Sequence, residues 1–276
     1  MRDLPLLDGT TLPELGFGTY PLRDAEGVDA IASAIRLGYR LIDTAVNYGN
    51  EREVGEAIRR SGVPREQLTV TTKIPGRDHG YDEAIASVTG SREALGLEVV
   101  DLVLIHWPNP SVDRYVDAWR GLIELQRRGE VRSIGVSNFT ASFLERLETE
   151  TGVLPVVNQV ELHPFFPQEQ LRAVHAEKGI VTEAWSPLGK AAPVKQSAPV
   201  VAAAEAHGAT PAQVVLAWHR AIGSVAIPKS ASPERQAENL ASLEVTLTDD
   251  EVAAITALGR PDGRLFDGDP ETHEEM

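Results

Sequence analysis

The sequence predicts an α/β protein folded as a single (β/α)8 TIM barrel domain over residues 1–276, with an N-terminal β-hairpin and a short C-terminal loop over the barrel mouth. Three observations lead there. Short apolar, β-rich runs alternate with longer amphipathic runs almost to the end of the chain, the rhythm of parallel βαβ units. Eight such units favour a closed barrel, because an open doubly wound sheet usually needs fewer. No Pro-, Ser- or Gly-rich linker and no shift of composition divides the chain.

The elements follow in order. Leu6-Leu7-Asp8-Gly9-Thr10-Thr11 reads as a hairpin, since Asp-Gly supplies a positive-φ turn, and it is placed to plug the barrel's bottom. The strands expected are Leu15–Thr19, Leu41–Ala45, Leu68–Lys73, Leu102–His106, Ser133–Ser137, Val156–Glu161, Ile180–Trp185 and Ser224–Pro228. Between them, helical periodicity runs over Asp29–Leu37, Glu51–Arg60, Tyr81–Leu95, Tyr115–Arg128, Phe143–Glu150, Gln168–Lys178 and Pro211–Ala221. Ser232-Pro233-Glu234 opens a further short helix with proline at its first position. Thr248–Leu258 closes the series, with Thr248 as N-cap and Glu251 three residues on. The acidic tail from Pro261 to Met276 is rich in turn formers and is expected to fray or to fold over the mouth.

A net charge of −15 and a pI near 4.9 argue against nucleic-acid partners and against an anionic membrane surface. An anionic ligand must then be held by a local cluster of cations and backbone N–H groups. With no cysteine, disulfides and thiolate chemistry are excluded. Neither a signal-peptide core nor a membrane-length apolar run is present, so the expected address is cytoplasmic. The histidines lack metal-like spacing, His163 is expected to serve local structure, and no metal is expected. Gly16-Phe17-Gly18 lacks the third glycine and following helix of a dinucleotide fingerprint, and reads as strand-end packing.

Functional residues of a barrel gather at the carboxyl ends of its strands, and unusual polar residues recur there. Asp43 ends the second strand, Tyr48 follows it, Lys73 ends the third and His106 the fourth. Singly, an Asp is more often a turn former, a Tyr or His more often structural. Four on three successive strand ends converge on one mouth. A phenol titrates near pH 10, a neighbouring ammonium is expected to lower that value, and a carboxylate behind keeps the ammonium charged. A neutral His orients a carbonyl oxygen by donating to it. The set suits proton delivery to a carbonyl that is receiving a hydride. Lys229, Ser230 and Arg235, ahead of and within the short helix, form a natural phosphate site after the last strand.

Gly38-Tyr39-Arg40-Leu41-Ile42-Asp43-Thr44-Ala45, with Tyr48-Gly49-Asn50-Glu51 and Val54-Gly55, closely resembles the aldo-keto reductase signature. His106-Trp107-Pro108, Gly135-Val136-Ser137-Asn138-Phe139, Asn158-Gln159, Trp185-Ser186-Pro187-Leu188-Gly189 and Ile227-Pro228-Lys229-Ser230 follow in the family's order, so the resemblance covers almost the whole chain. Within the family the chain looks most similar to the bacterial 2,5-diketo-D-gluconate reductase-like group. The resemblance implies NADPH-dependent reduction of small aldehydes, ketones, dicarbonyls or keto-sugars by a monomer, with Asp43, Tyr48, Lys73 and His106 as the catalytic tetrad and Tyr48 as general acid. It further implies that Ser137, Asn138 and Gln159 hold the nicotinamide carboxamide and that Trp185 stacks on the ring, with Ser186 and Leu188 adjoining. Thr19 and Asp43 would face the ribose; Lys229, Ser230 and Arg235 the 2′-phosphate; Glu238 and Asn239 the adenine. Tyr20, Trp107, Leu265 and Phe266 are expected to wall the substrate pocket. The stretches after Trp107 and Gly189 are short for the family, and the latter would make a light clasp over the pyrophosphate. Two other readings stay open here, a non-catalytic redox-sensing relative similar to potassium-channel β-subunits and a barrel lyase using Lys73 as a Schiff-base amine.

Overall fold

A computed structural model describes residues 2–190, 192–266 and 268–276. The chain opens on a hairpin, β1 (Asp3–Pro5) and β2 (Thr11–Pro13), paired antiparallel with Leu4 opposite Leu12. Gly9 turns it at φ 83°, and the Leu6 N–H closes the loop on the Thr10 carbonyl at 2.9 Å. Leu6 and Leu12 pack into one cluster with Leu41, Leu102, Leu104, Val157 and Val225 from the strands. The hairpin therefore stoppers the barrel with apolar side chains, as expected.

Eight parallel strands follow: β3 (Gly16–Gly18), β4 (Leu41–Asp43), β5 (Thr69–Ile74), β6 (Val100–Ile105), β7 (Val131–Ser137), β8 (Val157–Glu161), β9 (Val181–Trp185) and β10 (Ser224–Ala226). Each pairs with its neighbours in sequence order. A parallel bridge from Leu15 to Ala226 and a 3.1 Å bond from the Gly18 N–H to the Pro228 carbonyl close the ring.

The helices are α1 (Asp24–Leu37), α2 (Glu51–Ser61), α3 (Tyr81–Leu95), α4 (Tyr115–Arg127), α5 (Ala141–Thr151), α6 (Glu169–Lys178), α7 (Ala198–His207), α8 (Pro211–Ala221), α9 (Pro233–Leu240) and α10 (Asp249–Thr256). Strand side chains alternate between two faces. In β6, Leu102 and Leu104 point to the barrel interior, while Val103 and Ile105 join Ile31, Ile35, Val88 and Leu122 in the layer beneath the helices. Thr210 with Gln213 and Thr248 with Glu251 form capping boxes that fix the starts of α8 and α10.

Two elements differ from expectation. Helix α1 begins at Asp24, five residues before Asp29. Gly27 permits this start, because a Cβ there would lie 2.7 Å from the Leu22 carbonyl carbon. Helix α7, preceded by a 3₁₀ turn at Pro193–Gln196, is not among the helices expected from the sequence. Its alanine-rich sequence carries no apolar stripe to announce a helix.

Candidate active site

The strand ends place four polar side chains together. Asp43 is the last residue of β4, Lys73 lies near the end of β5, and His106 follows β6. Tyr48 is carried by the 3₁₀ turn Val46–Tyr48 after β4. That turn is anchored by Asn50, whose fully buried amide accepts from the Thr44 hydroxyl at 2.6 Å and donates to the Leu22 carbonyl at 2.8 Å.

Lys73 is wholly inaccessible to solvent. Its ammonium donates to both Asp43 carboxylate oxygens at 2.7 Å, to the Thr44 carbonyl at 3.0 Å and to the Tyr48 hydroxyl at 3.3 Å. Burial is the strongest single influence and disfavours the charge, but Asp43, Tyr48 and Glu183 together outweigh it and hold the lysine above its ordinary range. A fully buried ammonium clamped in this way is not a free amine, which tells against the Schiff-base reading.

The Tyr48 hydroxyl departs from expectation. Burial raises its pKa, Lys73 pulls it back, and the negative charge of Asp43 adds to the rise, so the net shift is upward. The ring is half-buried, but its hydroxyl reaches inward to Lys73, where little water competes. The phenol is thus kept protonated. The His106 ring stands edge-on to the Tyr48 ring at 5.7 Å between centroids.

Behind this group lies a carboxyl that the sequence reading missed. Gln159 donates its amide N–H bonds to Asp43 at 2.8 Å and to Glu183 at 2.7 Å. Glu183 sits opposite Gln159 in the β8–β9 register, fully buried. Burial and the nearby Asp43 charge push its pKa up to about 8. A carboxylate in an otherwise apolar strand was the available signal.

The predicted nicotinamide-side residues form one hydrogen-bonded group. The Ser137 hydroxyl donates to the Gln159 carbonyl at 2.8 Å, and the Asn138 amide donates to the His106 carbonyl at 3.0 Å. The Trp185 indole N–H donates to the Asn138 side-chain oxygen at 2.8 Å. Ser186 follows at φ 50°, and Leu188 is half-buried. Thr19 is fully buried with its hydroxyl donating to the Asp43 carbonyl at 2.9 Å.

Lys229 lies across the seam from Gly18, and with Ser230 it leads into α9. Ser232 caps this helix through the Arg235 N–H at 3.3 Å. Lys229 and Arg235 are exposed and make no ion pair among the described residues. Glu238 accepts from the Thr210 hydroxyl at 2.6 Å, and Asn239 is buried.

Around the mouth, Tyr20 is 54% exposed with its ring 5.1 Å from that of Tyr48, and Trp107 packs on His273 at 4.2 Å. Phe266 lies 5.2 Å from Trp185, and the Leu265 N–H donates to Glu161 at 2.7 Å. The acidic tail therefore folds over the mouth. Its Glu275 reaches His106 and Asn47, a contact no sequence signal announced.

The sequence pattern of the aldo/keto reductase family matches residues 14–260. The chain belongs to that family. It is 57% identical over 273 residues to 2,5-diketo-D-gluconic acid reductase B of Corynebacterium sp. (strain SHS752001), covering 99% of this chain and 98% of that protein. It is 43% identical over 269 residues to the methylglyoxal reductase DkgA of Escherichia coli (strain K12), covering 97% and 96%. Among solved structures, a Gox0644 mutant in complex with NADPH superposes with a TM-score of 0.94 at 41% identity, covering 99% of this chain and 98% of that one. Among the described residues of this aldo/keto reductase, no helix is long and apolar enough to cross a membrane.

Proposed function

We propose that the protein reduces carbonyl compounds to alcohols with NADPH, Tyr48 delivering the proton. The observation that carries this reading is the chain of contacts from Asp43 through Lys73 to the Tyr48 hydroxyl, beside His106. The chemistry NADPH would supply, when held here, is a hydride for the carbonyl carbon. As negative charge grows on the carbonyl oxygen, the Tyr48 hydroxyl gives up its proton to that oxygen. Lys73 stabilises the phenolate left behind, and Asp43 keeps Lys73 charged and in place. His106 orients the carbonyl oxygen from the other side.

The residues present fit the cofactor. In a chain of net charge −15, most surface arginines are tied to carboxylates, as Arg60 is to Glu56 and Arg127 to Glu124. Lys229 and Arg235 are two cations left uncommitted at a helix N-terminus, which suits a phosphate. Ser230, Glu238 and Asn239 would complete the adenosine end. Ser137, Asn138 and Gln159 would hold the carboxamide. Trp185, its plane fixed by Asn138, would stack on the ring, with Thr19, Ser186 and Leu188 alongside. Tyr20, Trp107, Leu265 and Phe266 would wall the substrate.

The names of the relatives, a diketo-acid reductase and a methylglyoxal reductase, support small dicarbonyls and keto-sugars as the substrate class. The test is NADPH absorbance followed against a panel of neutral aldehydes, dicarbonyls and keto-sugars. Carbonyl-dependent oxidation is expected, and its absence across the panel overturns the reading.

A further inference from the structure

The tail carries an ionised carboxylate into the mouth and fixes it there. Asn109, fully buried at φ 48°, grips the main chain of Glu275 from both sides: its amide donates to the Glu275 carbonyl at 2.5 Å and its side-chain oxygen accepts the Glu275 N–H at 3.2 Å. The Gly76 N–H donates to the same carbonyl at 3.1 Å. A Cβ at Gly76 would stand 1.8 Å from the Asn109 amide nitrogen and 2.2 Å from the Glu275 carbonyl, so only glycine leaves room for this socket. Asn47 then donates to one Glu275 carboxylate oxygen at 2.6 Å, and His106 Nδ1 lies 3.0 Å from the same atom. The other oxygen is buried without a partner.

We infer that Glu275 is a specificity-determining residue: its carboxylate beside His106 rejects substrates that carry an acid group on the reacting carbonyl carbon. The inference rests on the reductase reading above. The charges around the mouth support it. Lys73 is paired with Asp43, which takes up most of its charge, so little of it is left to offset Glu275. Arg77 is exposed and donates to the Asn47 side-chain oxygen at 2.5 Å, and among the described residues it makes no ion pair with Glu275. Although burial works against its ionisation, bonds to His106 and Asn47 and the charge of Lys73 hold the Glu275 carboxyl below its usual range. A 2-oxo acid presenting its carbonyl to His106 and Tyr48 sets its own carboxylate against this fixed charge, and like charges in contact cost several kcal/mol. A carboxylate several carbons from the reacting centre is free of that penalty.

The experiment compares 2-oxo acids with their methyl esters, pyruvate with methyl pyruvate and phenylglyoxylate with methyl phenylglyoxylate, on wild type and Glu275→Gln. The ratio of kcat/KM for acid over ester should rise about a hundredfold or more in the variant, the scale of a like-charge contact. Deleting residues 275–276 should move the ratio in the same direction. If the wild type oxidises NADPH with no neutral carbonyl, the reductase reading falls and this inference with it. If the esters are reduced and the ratio is unchanged by Glu275→Gln, the inference alone is overturned. A ratio that moves on deletion but not on Glu275→Gln assigns the selectivity to the tail's shape and likewise overturns it.

Discussion

Replacing Asp43 by Asn tests the core of the proposed mechanism. The substitution keeps the shape of the side chain and removes its charge. Asp43 accepts three N–H bonds, two from Lys73 at 2.7 Å and one from Gln159 at 2.8 Å. An amide must turn its NH₂ toward one of these donors, so at least one contact becomes donor against donor. Lys73, wholly buried, loses its counterion. Breaking a buried ion pair on one side costs about 3–5 kcal/mol. At roughly 2–4 °C per kcal/mol for a protein of this size class, the melting temperature should fall by about 6–20 °C. Lys73 can recover part of that loss by shedding its proton, but a neutral amine no longer stabilises a phenolate. Turnover should then fall by about a hundredfold or more, within the range general acid catalysis contributes. Calorimetry at pH 7 and NADPH oxidation with a neutral aldehyde measure both effects. An Asp43→Asn protein with wild-type melting and wild-type kcat refutes the chain of contacts as the working unit.

Three further outcomes follow from the same geometry. Tyr48→Phe should lower kcat by about 10²–10⁴-fold while NADPH still binds, as fluorescence titration would report; near-normal turnover removes Tyr48 as proton donor. Arg235→Ala should weaken NADPH about 10- to 150-fold and leave NADH nearly unchanged, since a hydrogen bond to a charged group is worth about 1.5–3 kcal/mol; equal weakening of both cofactors dismisses the 2′-phosphate assignment. The third concerns acid. Burial lowers the His219 pKa to about 3, and the ring bonds to Ser224 and to the Pro187 carbonyl. A folded value below the unfolded 6.5 means stability is complete above pH 6.5 and is lost as pH falls from there toward 3. Between pH 7 and pH 5 this one ring should cost about 2 kcal/mol. Urea unfolding of wild type and His219→Gln at both pH values checks it, and an identical pH dependence in the two refutes it.

Much of the barrel was legible because its signals are local. The strand β9, expected over Ile180–Trp185, forms over Val181–Trp185, and α3 occupies the span its periodicity marks. Asp43, Lys73 and His106 stood out as polar residues closing apolar runs, and the structure brings them to one mouth with Tyr48. Helix α7 escaped because alanines give its sequence no face. Glu183 escaped because its meaning depends on its partner across the β8–β9 register, Gln159. Glu275 was least visible of all. In a tail of scattered acids it reads as a solvated charge, and its socket is assembled from Asn47, Gly76 and Asn109, more than a hundred residues upstream.

The closure of the ring has a mechanical consequence. Its first and last staves, β3 and β10, are three residues each and meet through one bridge and one further bond. The seam is sewn from outside by α9. The buried Gln236 side-chain amide donates to the Ala30 carbonyl of α1 at 2.9 Å and to the Ser230 carbonyl at 3.0 Å, while the Gln236 main-chain carbonyl accepts from the Tyr39 hydroxyl at 3.2 Å. The short helix that presents Arg235 is thus also the stitch that joins the two ends of the barrel. The anion proposed for this site would act as a rivet through the hoop, its occupancy stabilising the closed ring by mass action.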